Sequence, residues 1–371
     1  MTMHSDDSPT QRSRLEASLA PLREAQHMPG YIYDSDAVFA LEKKKVFMKD
    51  WLCMGRVEEI ENPGDYMTAR VLDEPIVLAR NPEGRVNAFA NVCAHRGVEV
   101  ATGSGNTKEF SCPYHGWLYN LNGALVGAPY MKEAAGLDPA SSKLKPIRLE
   151  VWAGWMFVNF DRDAAPLADS IAHFTNAFVF LRQEDCRLAD RVVTEWDCNW
   201  TFLVKNLMDF YHTWALHEDS FGRWIPKEDF NYEILDKGSF RLFYQAAPMT
   251  ADGASRFACG GYLAPNMNLL SRCDCVRPYV IWPLAPNKTR AISYALFPKE
   301  HFDLPDFDER VSVYHDFLDQ VVYEDRDIVQ SLQRGMGSRN YHGGRMSHFE
   351  EPIHNTIRYH VSRLFAPPSA A

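Results

Sequence analysis

The sequence predicts an α+β protein of two domains, an all-β one followed by a larger one in which helices and strands mix. Three observations predict it. Between Trp51 and Asp161, short β-rich runs are broken by "NPEG", "GSGN" and "NLNG", the punctuation of hairpins. Beyond Asp161, runs of helical period stand among runs of β-branched and aromatic residues. At 371 residues the chain is long enough for two or three domains with buried cores.

Taken in order, residues 1–35 are polar and weakly patterned, and read as irregular. "SDAVFALEKKKVFMKD" (Ser35–Asp50) reads as a helix capped by Ser35 or Asp36, with Val38, Leu41, Val46 and Phe47 inward. Its "EKKKV" reads as a solvated helix face. The β block follows in "RVLDEPIVLAR", "RVNAFANV" and "EFSCPYHGWLYNLNGALV", and "EVWAGWMFVNF" closes it. The second domain holds "YEILDKGSFRLFYQ", turning at "DKG", and the strand run "PYVIWPLAPNKTRAISYALFP". Val313–Gln333 predicts a long helix with Val313, Phe317, Val321, Ile328 and Leu332 on one side. "PIHNTIRYHVSRLF" predicts a terminal amphipathic helix, apolar at 353, 357, 361 and 364. The expected division is 1–45, an N-terminal helical segment packing on the second domain; 46–162, the β domain; and 163–371, the mixed domain.

Composition excludes several functions. A net charge of −10 with no Lys/Arg-rich block argues against nucleic acid. No apolar run approaches 18 residues, so no membrane span is expected. The start has no hydrophobic leader and no twin arginine. Eight scattered cysteines do not form a secreted disulfide framework, so a reduced, cytoplasmic protein is expected. No GxGxxG follows a strand, which excludes a nicotinamide or flavin domain. "GSG" at 103–105 reads as a hairpin turn.

The β block carries "CAHRG" (Cys93–Gly97) and "CPYHGW" (Cys112–Trp117): Cys-x-His, sixteen residues, then Cys-x-x-His. Two thiolates and two imidazoles suit a tetrahedral zinc site or a Rieske [2Fe–2S] centre, in which two histidines replace two cysteines on one iron. The Cys-x-His opening is shorter than zinc ribbons use, which favours the Rieske reading. Downstream, "KNLMDFYHTWALH" places His212 and His217 five apart after Asp209. Zinc-binding histidines in metalloprotease helices sit four apart. A spacing of five puts the second about 140° round an ideal helix from the first. The pair is therefore either two core histidines or a metal site whose helix breaks or bulges between them. The remaining cysteines (53, 186, 198, 259, 273, 275) lack paired ligands, and "CDC" at 273–275 reads as packing on one sheet face. His342, His348, His354 and His360 read as surface residues.

Together, these motifs resemble the Rieske non-haem iron oxygenases. Val98 and Tyr114 stand where high-potential Rieske proteins carry two further cysteines, so the resemblance is to the lower-potential clusters of oxygenases. It implies a cluster held by Cys93, His95, Cys112 and His115. It also implies mononuclear Fe(II) on His212, His217 and a carboxylate. "EDRDIVQSLQRG" resembles the family segment that supplies this carboxylate, which points to Asp325, with Glu324 and Asp327 as alternatives. By the same resemblance Asp209 is a catalytic bridge between a ligand histidine and a Rieske histidine (His95 or His115) of a neighbouring subunit. Lys205 and Gln330 depart from the family pattern, which often has glutamate at both positions.

The implied fold is an all-β Rieske domain plus a helix-grip-like catalytic domain of antiparallel sheet packed with helices. The implied protein is a terminal oxygenase alpha subunit, a homotrimer fed with electrons from NAD(P)H by a separate reductase, a ferredoxin, or both. It would use O2 to hydroxylate a small organic substrate, leading to N- or O-dealkylation. It looks like the single-subunit branch of dicamba, vanillate and carnitine monooxygenases. Leu207, Met208, Phe210, Leu216, Phe221 and Trp224 are apolar and favour an aromatic substrate. The alternatives are a quaternary amine, a ring dioxygenase, or a Rieske protein that only carries electrons. Lys205 and Arg223 are candidate partners for a substrate carboxylate.

Overall fold

In the computed structural model the described residues are 9–365, apart from 221, 223–224, 247 and 249–256. The chain divides into two compact units, Phe47–Ser170 and the remainder.

In the first unit the turn sequences join seven strands into an antiparallel sheet. They are β1 (Leu52–Arg56), β2 (Asp65–Val71), β3 (Glu74–Arg80), β4 (Val86–Ala90), β5 (Ser104–Asn106), and beyond them β9 (Pro146–Trp152) and β10 (Trp155–Asn159), in the order β1-β10-β9-β4-β3-β2-β5. Between β5 and β9 lies a three-stranded sheet of β6 (Glu109–Ser111), β7 (Leu118–Asn120) and β8 (Leu125–Gly127). "NLNG" makes the β7–β8 turn, with Gly123 at φ 81°, where a side chain would be strained. Its core includes Val77, Phe89, Phe110, Trp117 and Tyr119, with the thiols of Cys93 and Cys112 among them.

The second unit begins with helix α1 (Pro9–Ala17) and a 3-10 turn at Gly30–Tyr33, so the N-terminal stretch is more regular than its pattern suggests. Helix α2 (Asp36–Glu42) follows, with the Ser35 hydroxyl accepting from the Val38 amide. It loosens into a π-turn at Lys43–Phe47. "EKKKV" is not a solvated face throughout: Glu42 is 1% exposed, and Lys45 donates to the Leu364 carbonyl. In the first unit a short helix, α3 (Leu167–Ser170), closes the span; the second resumes with α4 (Ala172–Phe178).

Its sheet is wholly antiparallel. The strands are β11 (Cys186–Trp196), β12 (Asn231–Ile234), β13 (Phe240–Tyr244), β14 (Ala258–Leu263), β15 (Met267–Arg272), β16 (Cys275–Ala285) and β17 (Lys288–Pro298), ordered β11-β17-β16-β15-β14-β13-β12. Helices α5 (Trp200–Asn206), α6 (Thr213–Leu216), α7 (Phe307–Met336) and α8 (Glu351–Phe365) complete it. The α+β expectation holds: a sheet-rich first domain and an antiparallel sheet packed with helices.

Helix α7 presents a different face from the one its periodicity suggests. Phe307, Tyr314, Leu318, Asp325 and Val329 are buried, whereas Val313, Ile328 and Leu332 are exposed. Three of the five residues of the stripe read from the sequence are thus uncovered in the single chain, while Phe317 packs against the core and Val321 is half-buried. Cys273 is exposed in the β15–β16 turn while Cys275 is buried, so the two thiols do not share a face. His354 and His360 are buried, not on the surface.

Candidate metal centres

Two mirror-like loops build the first site. The Cys93 amide donates to the Val98 carbonyl and the Gly97 amide to the Cys93 carbonyl; the Cys112 amide donates to the Trp117 carbonyl and the Gly116 amide to the Cys112 carbonyl. Gly97 (φ 79°) and Gly116 (φ 68°) take the left-handed turns that follow each histidine, which explains the "HRG" and "HG" of the sequence. Buried Asn91 holds the first loop: its Oδ1 accepts from Val100 and Ala101, and its Nδ2 donates to the Ala101 carbonyl.

Both thiols face inward and both imidazoles outward. Cys93 and Cys112 are buried, while His95 and His115 are exposed with ring centroids 4.7 Å apart. Trp117 stacks on His95 at 4.8 Å and Tyr114 lies against His115 at 3.8 Å. The Tyr119 hydroxyl accepts from the Ala94 amide at 3.0 Å and lies 3.3 Å from Cys93 Sγ. Burial, then the Cys93 contact, raises its pKa and keeps it a hydrogen-bond donor. Two buried sulfurs opposite two solvent-side nitrogens match the donor asymmetry of a Rieske cluster.

The second site sits where α6 meets α7. The question raised by the five-residue spacing is answered by helix length. Helix α6 has only four residues; His212 is its N-cap and His217 its C-cap, and both rings turn off the ends to one point. No bulge between them is needed. Their Nε2 atoms lie 3.2 Å apart, and Asp325 Oδ1 stands 3.1 Å from His217 Nε2 and 3.4 Å from His212 Nε2. Among the described residues this is the one group of three such donors within 4.8 Å of one another.

The charges are complementary. Burial disfavours protonated His212, but the Asp209 and Asp325 carboxylates outweigh it and bring its pKa to about 9. Burial raises Asp325, and the two histidines more than reverse this, to about 2. Asp325 Oδ1 is buried, and its close neighbours are the two imidazole nitrogens, which meet it without regular hydrogen-bond geometry. A buried carboxylate oxygen so placed beside two convergent imidazole nitrogens is a cation's place. Two imidazoles and one carboxylate are the donor set of non-haem Fe(II).

The other acidic candidates fall elsewhere. Glu324 lies on the far side of His217, where its Oε2 accepts from Nδ1 at 2.6 Å and from Ser220 Oγ at 2.8 Å. Gln320 donates to its Oε1 at 3.0 Å. Asp327 is exposed. Asp209 stands 3.5 Å from His212 Nδ1, a charge contact at the limit of hydrogen bonding, and its other oxygen accepts from the Tyr211 amide. Lys205 donates to the Tyr33 hydroxyl at 3.0 Å, and burial pulls its pKa down to about 7. Gln330 accepts from the Asp197 amide and Gln333 from the Asn199 amide, tying α7 to the start of α5. Phe221, Arg223 and Trp224 lie outside the described residues. Sequence reasoning missed the Glu324–Ser220–Gln320 cradle and Tyr119; the acidic pair "ED" was the one visible signal for the former.

Residues 50–147 match the Rieske [2Fe–2S] domain family and residues 245–364 the ring hydroxylating alpha subunit (catalytic domain) family. The chain belongs to the Rieske non-haem iron oxygenases as a terminal oxygenase alpha subunit, an oxidoreductase that works with a [2Fe–2S] cluster, mononuclear iron and electrons from a partner. Its relatives include carnitine and choline monooxygenases. It is 29% identical over 340 residues to the carnitine monooxygenase oxygenase subunit of Acinetobacter baumannii, spanning 85% of this chain and 86% of that one. It is 27% identical to the chloroplastic choline monooxygenase of Arabidopsis thaliana, over 90% of this chain and 82% of that one. The quaternary ammonium Rieske monooxygenase CntA, solved with L-carnitine, superposes with a TM-score of 0.81 at 27% identity, over 94% of this chain and 97% of that one. Naphthalene 1,2-dioxygenase from Rhodococcus sp. shares the fold, with a TM-score of 0.81 at 20% identity. Among the described residues no helix is long and apolar enough to cross a membrane.

Proposed function

We propose that this chain is the oxygenase component of a quaternary-ammonium monooxygenase, with the cluster on Cys93, His95, Cys112 and His115 and the iron on His212, His217 and Asp325. The observation that carries it is the convergence of one ligand atom from each of His212, His217 and Asp325 to within 4.8 Å of one another, in a chain whose relatives include carnitine and choline monooxygenases. When bound, the cluster supplies single electrons, and the iron activates O2.

The protein's own residues orient, insulate and select. Glu324 holds the His217 proton on Nδ1, which leaves Nε2 with its lone pair toward the iron position. Asp209 does the same for His212 from the other flank. Its partly exposed carboxylate suits a link to the outward-facing His95 or His115 of a neighbouring subunit. Such a link needs a second copy of the chain, which a closed homotrimeric ring would provide, and the exposed Val313, Ile328 and Leu332 on α7 support a contact between copies.

The apolar residues next to the histidines favour an aromatic substrate on sequence alone; the relatives favour a quaternary amine instead. Aromatic faces serve both. Phe210 stacks near Phe230 (4.4 Å) and Tyr244 (5.0 Å), and Trp214 lies edge-on to Phe230, surfaces that attract a quaternary ammonium through cation–π contact. Hydroxylation of a carbon attached to that nitrogen gives a hemiaminal-type product that collapses with C–N cleavage, so dealkylation follows. The test is a single-turnover assay on prereduced enzyme exposed to O2. Trimethylammonium substrates should be consumed and N-alkyl anilides and aryl ethers should not; the reverse would return the aromatic reading.

A further inference from the structure

We propose that Arg277 is the anion-recognition residue of the substrate chamber and that the substrate carries a carboxylate. This rests on the oxygenase reading above and narrows its substrate class.

Arg277 lies in β16 and is 4% exposed. Of its guanidinium nitrogens, Nη2 donates to Ser293 Oγ at 3.4 Å, and the Tyr279 hydroxyl also lies within reach of the group; Nε and Nη1 are buried with no partner in hydrogen-bond geometry. The rings of Tyr279 and Tyr314 flank it, each 5.5 Å from the guanidinium carbon. They attract the cation but supply no anion, and Nε and Nη1 keep no partner. The nearby acidic protons do not help. Burial pushes the Cys275 thiol up to about 12 and holds the Tyr314 phenol well above its ordinary value, so both stay neutral. A buried guanidinium without an anion is strongly unfavourable, whereas one whose N–H edge receives a carboxylate is a recognition device.

Its position favours the second. Arg277 is opposite Leu270 in the β15–β16 ladder, and one further pair along, Asn268 is opposite Tyr279. Opposed residues share a sheet face, so Arg277, Asn268 and Tyr279 point the same way. Asn268 is fully buried; its Nδ2 donates to the Val204 carbonyl of α5, and its Oδ1 has no partner. Tyr314 brings α7 onto this face, the helix that carries Asp325. Across the sheet, Tyr244, Ala258, Arg272 and Cys275 align in register, and Tyr244 touches Phe210, two residues before His212. Unpaired donors and an unpaired acceptor therefore share the sheet face that packs against the helices bearing the iron ligands. A ligand with a carboxylate at one end satisfies the Arg277 donors while its oxidisable carbon lies toward the helices that bear the iron ligands.

The test is equilibrium binding to full-length, cofactor-loaded protein and to R277Q and R277K, with two matched pairs of probes. These are 4-(trimethylammonio)butanoate against its primary amide, and 4-methoxybenzoate against its amide. Wild type should bind at least one acid about 10- to 100-fold more tightly than its amide, the range of a charge-assisted pair. R277Q should bring acid and amide level, R277K should keep part of the preference, and iron and sulfide contents should not change. An acid preference that survives in R277Q, equal binding of acids and amides to wild type, or no binding of either acid would overturn the proposal. If the trimethylammonium pair fails while 4-methoxybenzoate shows Arg277-dependent preference, the quaternary-ammonium reading falls and Arg277 stands. If both trimethylammonium compounds bind equally and 4-methoxybenzoate binds no better than its amide, the quaternary-ammonium reading stands and Arg277 falls.

Discussion

Glu324 Oε2 sits 2.6 Å from His217 Nδ1, while Asp325, the next residue, faces His217 Nε2 at 3.1 Å. Consecutive acids on α7 thus address opposite edges of one imidazole. Replacing Glu324 with Gln keeps the shape but removes the charge that favours an Nδ1 proton. E324Q should fold and keep its cluster, but Fe(II) affinity should fall about 10- to 100-fold. D325N should lose the iron outright. Anaerobic Fe(II) titration reads both, and equal losses in the two variants would refute the division of roles.

The Tyr119 hydroxyl, fixed by the Ala94 amide, is placed to donate to the Cys93 sulfur. A hydrogen bond to a ligand sulfur stabilises the reduced, more negative cluster. Y119F should therefore shift the cluster's midpoint potential to more negative values, with its Rieske-type spectrum retained. A potential unchanged in redox titration would contradict this.

Glu42 is buried and accepts from Trp200 Nε1 at 3.1 Å, and its other oxygen lies 3.0 Å from His360 Nε2. It joins α2, α5 and α8. E42A leaves two buried ring nitrogens unpaired and should cost about 3–5 kcal/mol in urea unfolding. E42Q can still accept from Trp200 and should cost clearly less. A loss for E42A within about 0.5 kcal/mol, the range of a surface change, would show the network to be incidental.

How far the sequence reached follows from which physics each feature obeys. The candidate donors stand out in the sequence because coordination chemistry dictates residue type and spacing: in the fold Cys93, His95, Cys112 and His115 lie on paired loops, and His212, His217 and Asp325 converge. Hairpin turns were legible because Gly and Asn mark them. What failed was deciding which face is covered. Val313, Ile328 and Leu332 are as apolar as a core stripe yet stay exposed, while Tyr314 and Asp325 are buried on the other side of α7. Periodicity reports that a helix has faces, and tertiary packing decides which is inside. Glu42 and His360 were misread for a related reason: a charged residue alone looks solvated, and its buried partner lies 318 positions away. Arg277 left no mark in the sequence because an unpaired guanidinium is visible only once its surroundings are known.

The most direct measurement is iron and acid-labile sulfide per chain on anaerobically purified, Fe(II)-reconstituted protein, beside an H212A/H217A double variant. The account predicts about three irons and two sulfides for wild type, and about two of each for the variant. Two irons and two sulfides in wild type would contradict it, leaving an electron carrier with no site for O2 at His212, His217 and Asp325.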